Sequence, residues 1–282
     1  MILLFYKYIW IEYPLQIQKW QRRLSVSLGL TGRIIIAQEG INGTVGGTDT
    51  AIYQYTEAVS QHPLFSAIDF KKSVGSAADF PKLSVVIKKE IVHLNIDPAT
   101  LPASEGGTHI SPEQAHQLLQ ERSNDFVVLD ARNAYESRIG AFTGAITPDI
   151  QNFREFPQYV DAHIDTFRGK RVLLYCTGGV RCERASAYLK RTGAAAEVMQ
   201  LTGGIHMYAE QYPDGFFRGK NYVFDERIAI PVNEDVIGRC EYCHIPYDTY
   251  RSCVRSSCNK QLIICPPCLA QQGGVCTTVC RS

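Results

Sequence analysis

The chain has 282 residues and a mass of 31.6 kDa, which is enough for two or three domains that each bury a core of their own. Hydrophobic residues make up 45% of it and charged residues 20%, and this balance excludes a chain that stays disordered. The formal net charge is +1, so bulk charge does not support nucleic-acid binding and any such binding needs local basic patches.

The amino-terminal apolar stretch, residues 1–11, is interrupted by Lys7. It is shorter than the roughly 20 residues needed to span a bilayer, and it lacks the basic start and small-residue cleavage site of a signal peptide. We therefore expect a cytoplasmic protein without membrane contact. Thiols are kept reduced in that compartment, so the ten cysteines are more typical of metal ligands or catalysts than of disulfides.

The order of apolar segments in residues 1–97 predicts a small α+β domain. Their apolar pattern predicts strands over residues 3–11, 33–37 and 83–93, and helices over residues 14–28 and about 50–60. This order favours helices on one face of an antiparallel sheet, as in ferredoxin-like or acylphosphatase-like domains. The glycine-rich segment 39–47 is interpreted as a hairpin loop, although its glycines would also permit close approach of the backbone to a ligand.

Residues 98–108 form a linker rich in Pro, Gly and Ser, and the middle domain follows over residues 109–215. A helix is expected to start at Ser111-Pro112, where a capping residue precedes proline. The pattern then predicts strands over residues 126–129, 171–175 and 197–201, and helices over residues 182–191 and after Gly203-Gly204. Apolar strands separated by helices indicate a parallel sheet covered on both faces.

The predicted strand 171–175 ends at Cys176. A thiol at the carboxyl end of a parallel strand is expected to lie exposed in the ligand crevice of an open α/β sheet. Loop amides and a helix terminus favour its thiolate. We predict Cys176 and Arg181 as catalytic residues, with an anion-binding cradle formed by Thr177, Gly178, Gly179, Val180 and Arg184. The alternative is a small buried cysteine in an inactive domain.

Cys182 is the third predicted catalytic residue, because it could resolve an oxidised or persulfidated Cys176; the alternative is simple packing in the first helical turn. A cysteine phosphatase needs arginine six positions after its cysteine, and Cys182 occupies that position, so phosphatase chemistry is disfavoured. The six-residue loop 176–181 instead resembles the active-site loop of the rhodanese superfamily. Asp130 and Arg132, which also match that superfamily, are interpreted as a structural ion pair.

The carboxy-terminal region, residues 216–282, contains eight cysteines in four closely spaced pairs: Cys240 and Cys243, Cys253 and Cys258, Cys265 and Cys268, and Cys276 and Cys280. Tetrahedral zinc takes four soft ligands, so eight thiols predict two structural zinc sites. Spacing leaves open whether the pairs combine sequentially or in a cross-braced order. His244 could replace one ligand, and four disulfides are the alternative to metal.

Three unrelated features follow one another along the chain: Glu39-Gly40-Ile41-Asn42-Gly43, the segment 175–183, and Phe224-Asp225-Glu226-Arg227 ahead of the cysteine-rich region. In this order they resemble the rhodanese-like tRNA uridine hydroxylases, an oxygen-dependent family that makes 5-hydroxyuridine at the wobble position of the anticodon. The resemblance covers nearly the full chain. It implies that Cys176 is the family's required cysteine and that the N-terminal domain helps to hold tRNA.

The predicted function is therefore hydroxylation of the wobble uridine of tRNA at C5. The resemblance implies molecular oxygen as co-substrate, the sequence carries no organic-cofactor signature, and the electron donor is unidentified. Some bacterial members continue into a basic tail, so we expect the tRNA contacts of this chain on its folded domains. The lysines proposed for them are Lys71, Lys72, Lys82, Lys88 and Lys89, unless these form only a solvated face.

Two other functions fit the same residues. A sulfurtransferase would pass sulfane sulfur through a persulfide on Cys176, and the loop supports this without change. A zinc-stabilised RNA-binding adaptor would need no catalysis. Nucleoside analysis of tRNA separates the hydroxylase from both.

Overall fold

The computed structural model describes residues 1–121, 123–255, 258 and 260–276. Its amino-terminal sheet contains β1 (Ile2–Tyr8), β2 (Thr31–Ala37), β3 (Gly40–Gly46), β4 (Asp69–Ser73) and β5 (Leu83–Ile87), in the order β4-β1-β3-β2-β5. Neighbouring strands are antiparallel except β2 and β5, which are parallel. One face is covered by α1 (Pro14–Ser27) and α2 (Asp49–Ser60), whose apolar residues share a core with alternate residues of the strands. The predicted α+β fold is confirmed.

The glycine-rich segment is a central strand, so its interpretation as a hairpin loop is wrong. Its glycines reflect close packing: an ideal Cβ at Gly43 would lie 2.4 Å from the Phe5 ring, and one at Gly40 would lie 2.1 Å from the Lys7 carbonyl oxygen. Strand β4 is short and polar, and no strand was predicted there. Strands β1 and β5 also end earlier than expected, at Tyr8 and Ile87.

The middle region contains β6 (Thr108–Ile110), α3 (Pro112–Glu121), β7 (Phe126–Asp130), α4 (Ala134–Ser137), β8 (Gly140–Phe142), α5 (Phe156–Ala162), α6 (Ile164–Phe167), β9 (Arg171–Tyr175), α7 (Val180–Thr192), β10 (Glu197–Leu201) and α8 (Gly204–Gln211). Strands β6, β10, β9 and β7 form a parallel sheet in that order. Residues of α7 pack on one face, and residues of α3 and α8 pack on the other. This is the predicted parallel sheet covered on both faces.

The cysteine-rich region contains β11 (Phe217–Tyr222), β12 (Ala229–Pro231), β13 (Tyr250–Ser252), β14 (Gln261–Ile263) and α9 (Pro266–Gln272). Strand β11 pairs with both β8 and β12, which attaches this region to the middle domain. The Tyr250 hydroxyl adds a 2.6 Å hydrogen bond to the carbonyl of Tyr135. Among the described residues, every helix is too short or too polar to cross a bilayer.

Candidate active site

Cys176 lies where β9 ends, and its sulfur faces the start of α7. The amide of Gly179 donates a 3.1 Å hydrogen bond to Sγ of Cys176. Gly179 has a φ of 102°, a conformation that glycine adopts without steric cost, and this turn aims the loop amides at the sulfur. The thiol therefore sits in a short ring of donors at the positive end of a helix.

The environment of Cys176 favours its thiolate. Burial alone would raise the pKa of this thiol, but the Cys182 thiol, which donates to it, and the Arg181 guanidinium lower the pKa to about 6. Burial and the adjacent Cys176 sulfur raise the pKa of Cys182, which stays protonated as the donor. The structure thus brings Cys176, Arg181 and Cys182 together as predicted.

The amino-terminal strand covers the thiol loop, so the expectation of an exposed crevice is wrong: Cys176 is 0% exposed. Alternate residues of β1 point in opposite directions. Leu3 and Phe5 enter the amino-terminal core, whereas Leu4 and Tyr6 point at the loop.

Two glycines of the loop accommodate these side chains. An ideal Cβ at Gly178 would lie 2.5 Å from Leu4, and one at Gly179 would lie 2.7 Å from the Tyr6 hydroxyl. The Tyr8 hydroxyl donates a 3.1 Å hydrogen bond to the carbonyl of Val180. The neighbouring domain thus contacts the loop whose amides are predicted to hold an anion.

Arg181 is bound by a carboxylate that the sequence analysis missed. Its guanidinium donates to both oxygens of Glu136, at 2.6 and 2.7 Å, and to the Thr177 hydroxyl at 3.2 Å. The Phe224 ring lies over it, 5.7 Å away. Glu136 is 0% exposed. The capping box formed by Asn133 and Glu136 marks a helix start in the sequence, but nothing there shows the pairing with Arg181.

Arg184 points away from the thiol and joins the two domains. It donates at 2.7 Å to Oε2 of Glu39, in the turn between β2 and β3, and at 2.7 Å to the carbonyl of Ile96. Glu90 lies 3.7 Å from the same guanidinium. Because Arg184 is 0% exposed, the expectation that it binds an anion in the loop is replaced by a buried ion pair between domains.

A cavity of about 470 Å³ opens beside the loop, between β1 and the start of α7. Its lining includes Tyr6, Glu183, Gln200 and His109. The Tyr6 hydroxyl donates to Glu183 at 3.1 Å, and the Gln200 amide donates to the other oxygen of Glu183 at 3.1 Å. None of these residues stands out in the sequence, because only the fold brings β1, β6, α7 and β10 together.

Asp130 and Arg132 form the predicted structural ion pair. Arg132 donates to both oxygens of Asp130 and to the carbonyl of Gly140 at 2.6 Å, and both charged side chains are 0% exposed. Their bonds fix the loop that follows β7.

The lysines proposed for tRNA contact differ in their exposure to solvent. Lys72, Lys82, Lys88 and Lys89 are exposed. Lys71 is 6% exposed and forms a 2.7 Å ion pair with Asp69. The prediction that Lys71 belongs to an open basic surface is therefore wrong, because β4 buries it against β1.

The cysteine-rich region gathers four sulfur atoms into one cluster. Cys240, Cys243, Cys265 and Cys268 have their sulfurs within 4.8 Å of one another, and Cys243 and Cys265 are 3.6 Å apart. A tetrahedral site with metal–sulfur bonds of about 2.3 Å needs sulfurs roughly 3.8 Å apart, so the cluster fits such an ion. The first pair combines with the third, which resolves the order that the spacing left open: the arrangement is cross-braced.

A second cluster contains Cys253, Cys258 and Cys276, again within 4.8 Å. The fourth predicted ligand, Cys280, lies outside the described residues. His244 is exposed and belongs to neither cluster. No disulfide joins any two of the nine described cysteines.

Three families match successive parts of the chain. Residues 1–91 match the UPF0176 acylphosphatase like domain, residues 111–211 match the rhodanese-like domain, and residues 218–281 match the family described as Rhodanase C-terminal. These matches agree with the α+β sheet, the parallel sheet and the cysteine clusters found in the structure.

Relatives of this chain match it over nearly its full length. A protein of Corynebacterium urealyticum named tRNA uridine(34) hydroxylase is 41% identical, over 98% of this chain and 95% of that one. Proteins of the same name from Corynebacterium jeikeium and Bacillus velezensis are 40% and 38% identical, over 95% and 100% of this chain and 89% and 88% of theirs. At this identity and coverage, the chain belongs to the tRNA uridine(34) hydroxylase family.

Proposed function

We propose that this protein is a tRNA-modifying oxidoreductase of the cytoplasm that hydroxylates the wobble uridine at C5 to give 5-hydroxyuridine. The observation that carries the proposal is the similarity to relatives named tRNA uridine(34) hydroxylase, which reaches 41% identity over 98% of the chain. The substrate is a base of the anticodon loop, where single-stranded nucleotides are easily unstacked and turned into a protein pocket.

Cys176 supplies the covalent chemistry in this proposal. Its thiolate adds to C6 of the uracil ring, and the electron pair released from the C5–C6 double bond makes C5 electron-rich. A thiol with a pKa of about 6 is mostly thiolate at neutral pH, and the thiolate is the nucleophilic form.

Molecular oxygen supplies the incorporated atom. One oxygen atom bonds to C5, and the other leaves as water after an external donor provides two electrons and two protons arrive from solvent. Loss of the C5 proton and expulsion of the Cys176 thiolate then restore the double bond. The protein enters and leaves the cycle unchanged.

The two arginines have different roles in this mechanism. Arg181, held by Glu136 on one side and covered by Phe224 on the other, stabilises the thiolate by its charge. Arg184 clamps the amino-terminal domain to α7 through Glu39. Because Leu4 and Tyr6 cover the loop, the base reaches Cys176 when β1 moves away from it.

The amino-terminal domain offers a surface for the rest of the anticodon loop. A cavity of about 840 Å³ adjoins the first and shares Tyr8 with it. Trp10, which is 66% exposed, and Lys89 line this second cavity. An exposed indole beside a cation is the combination that binds single-stranded bases by stacking, which supports RNA contact here.

Zinc is proposed as the structural ion of the tail. Cys240, Cys243, Cys265 and Cys268 would hold one ion, and Cys253, Cys258 and Cys276 would supply three ligands to another. When bound, the ions link distant parts of a segment with few aliphatic residues and stabilise its fold. They take no part in the proposed chemistry.

Nucleoside analysis of tRNA tests the function. The wild-type chain is expressed in a strain that lacks its own hydroxylase, and 5-hydroxyuridine is quantified after digestion of the tRNA. We expect wild type to restore the nucleoside and Cys176→Ser to lower it by at least about 10³-fold, with an unchanged circular dichroism spectrum. No nucleoside from wild type contradicts the function, and normal levels from Cys176→Ser contradict only the role of the cysteine.

Sulfur transfer is the second candidate, favoured by the six-residue loop and the stabilised thiolate. The Cys176 thiolate would attack the sulfane sulfur of thiosulfate, breaking its S–S bond and releasing sulfite, and the outer sulfur of the resulting persulfide would pass to an acceptor thiolate with return of the Cys176 thiolate. Incubation with thiosulfate followed by intact-mass measurement detects one added sulfur atom. Persulfide formation without 5-hydroxyuridine would favour this candidate over the hydroxylase.

A further inference from the structure

We propose that the cavity of about 470 Å³ beside the thiol loop is the pocket for the wobble base, and that the Glu183 carboxylate selects uracil over cytosine. The inference rests on the proposed function and extends it, because it names the residue that reads the base. The volume falls within the range of small-ligand pockets, about 300–1,000 Å³.

The pocket lies next to the reactive sulfur. Tyr6 lines the cavity, and the same hydroxyl would lie 2.7 Å from an ideal Cβ at Gly179 in the thiol loop. Glu183 is in the first turn of α7, one residue after Cys182. Gly203, which immediately precedes α8, also lines the cavity. A single aromatic ring therefore bounds both the cavity and the loop, so its displacement joins them.

The two pyrimidines differ at the edge that a carboxylate would meet. Uracil presents an N3–H donor between two carbonyl acceptors, whereas cytosine presents an acceptor at N3 and an amino donor at C4. An ionised carboxylate accepts hydrogen bonds and cannot donate, so opposite N3 it pairs with uracil and repels cytosine, whereas opposite C4 it would accept from the cytosine amino group. Glu183 therefore lies opposite N3 in this proposal. Glu183 accepts from Tyr6 at one oxygen and from Gln200 at the other, and a carboxylate with about four lone-pair sites retains room for a base.

The surrounding bonds hold this carboxylate in place. The Gln200 amide is anchored by a 3.1 Å bond to the carbonyl of Gly107, and Gln200 is 2% exposed. Nε2 of His109 lies 3.3 Å from Oε2 of Glu183, the oxygen that also accepts from Gln200, and the His109 side chain is 51% exposed. In this proposal the ring donates to the uracil carbonyl at C4, where cytosine carries an amino group that cannot accept. Groups that are fixed before the ligand arrives discriminate most strongly, because the wrong base leaves them unpaired.

The competing explanation is that Glu183 only anchors Tyr6 and so closes the thiol loop. The two explanations differ in one measurable quantity, the preference for uracil. An anchor would affect uracil-containing and cytosine-containing RNA equally, whereas a reading carboxylate affects them in opposite directions. Tyr6→Phe removes the anchoring hydrogen bond and leaves the carboxylate, so it isolates the anchor role.

The test measures binding of the full-length protein to two anticodon stem-loops that differ only in uridine or cytidine at position 34, without oxygen so that no turnover occurs. We expect wild type to prefer the uridine RNA by about 10- to 100-fold, the range of one well-placed polar contact to a base. Glu183→Gln offers an amide that donates to cytosine N3, so its preference should fall to within about threefold. Tyr6→Phe should keep the preference, and so should Glu57→Gln, a matched control on the exposed face of α2.

Each outcome bears on the pocket separately from the function. A wild-type protein without preference for uridine, or a Glu183→Gln variant that keeps the preference, overturns the pocket proposal even when tRNA from cells contains 5-hydroxyuridine. Absence of 5-hydroxyuridine alongside a preference that Glu183→Gln abolishes leaves the pocket standing and removes the hydroxylase. A loss of preference in Tyr6→Phe equal to that in Glu183→Gln shows that the preference depends on the Tyr6–Glu183 hydrogen bond and not on the carboxylate alone, which also overturns the proposal.

Discussion

Cys176 and Cys240 are both fully buried, yet their sulfur atoms have different neighbours. Both sulfurs accept from backbone amides, but Cys176 faces one other thiol and a guanidinium, whereas Cys240 faces three further cysteines within 4.8 Å, and no guanidinium of the described residues is among the groups that most lower its pKa. A cation and amide donors stabilise a thiolate without occupying its reactive electron pair, while a ring of four thiolates is complete only around a metal ion. The chemistry of a cysteine is thus set by the number and type of its neighbours, because burial is the same in both places.

Removal of one tail sulfur should have the largest effect. Cys240→Ser removes a ligand from the four-sulfur cluster, and structural zinc sites contribute roughly 10–16 kcal/mol of apparent binding free energy. We expect loss of one bound ion per chain and unfolding of the cysteine-rich region, read by elemental analysis and by protease resistance. Cys176→Ser is the control and should retain the full metal content. Equal metal content in both variants would contradict the claim that the tail cysteines bind metal whereas Cys176 does not.

Loss of the buried ion pair between Arg184 and Glu39, which joins the two domains, should have the second-largest effect. Arg184→Met leaves Glu39 and Glu90 without their cation, and breaking a buried ion pair costs about 3–5 kcal/mol. Chemical denaturation should show this loss in the free energy of unfolding. The control on the same helix is Arg191→Met, whose 2.8 Å pair with Glu105 is exposed and should contribute less than about 1 kcal/mol. Similar losses from both variants would argue against an interdomain clamp.

Alkylation rates should show that Cys176 is protected by the cover of β1, whereas the tail cysteines are protected by bound metal. Tyr6→Ala removes part of the cover over the thiol loop, and we expect Cys176 to react with iodoacetamide on the order of tenfold faster, as local opening becomes easier. A chelator should instead expose the tail cysteines and leave Cys176 slow. Peptide mass spectrometry assigns the label to each site. A chelator that accelerates Cys176 as much as Tyr6→Ala does would show that the two regions open together.

The smallest expected effect concerns the charge on Cys176. Cys182→Ala removes the thiol that donates to it, so the pKa of Cys176 should rise from about 6 toward its ordinary value. At any pH between the wild-type and the raised pKa, the variant then holds less Cys176 thiolate than wild type. The ultraviolet absorbance of the thiolate, measured as the difference from Cys176→Ser, should therefore appear at higher pH in Cys182→Ala. An unchanged midpoint would assign the low pKa to Arg181 and the loop amides alone.

The parallel sheet and the thiol loop followed from local pattern, since continuous apolar strands and a strand–loop–helix sequence depend on neighbouring residues. Strand β3 did not, because the glycines at positions 40, 43 and 46 indicate a loop when read locally. In the sheet they are required by contacts from β1 and from the segment around Ser76. Tertiary packing here selects the residues that local propensity associates with turns.

Pairings between distant segments were also beyond the sequence analysis. The partners of Arg181 and Arg184 lie 45 and 145 positions away, and the cover over Cys176 comes from β1, at the start of the chain. Charge and spacing predicted that arginines would lie near the thiol, but not which carboxylates would bind them. The cross-braced cysteine order was open for the same reason, because spacing alone permits either combination.

The contact between Leu4 and Gly178 also limits how this chain can be divided or recombined. A methyl group added at position 178 would lie 2.5 Å from the end of the leucine side chain, so alanine there would require that side chain to move. A middle domain expressed alone would present bare loop backbone to water and leave Arg184 without its carboxylates. Anyone who transplants this thiol loop into another protein must transfer strand β1 with it.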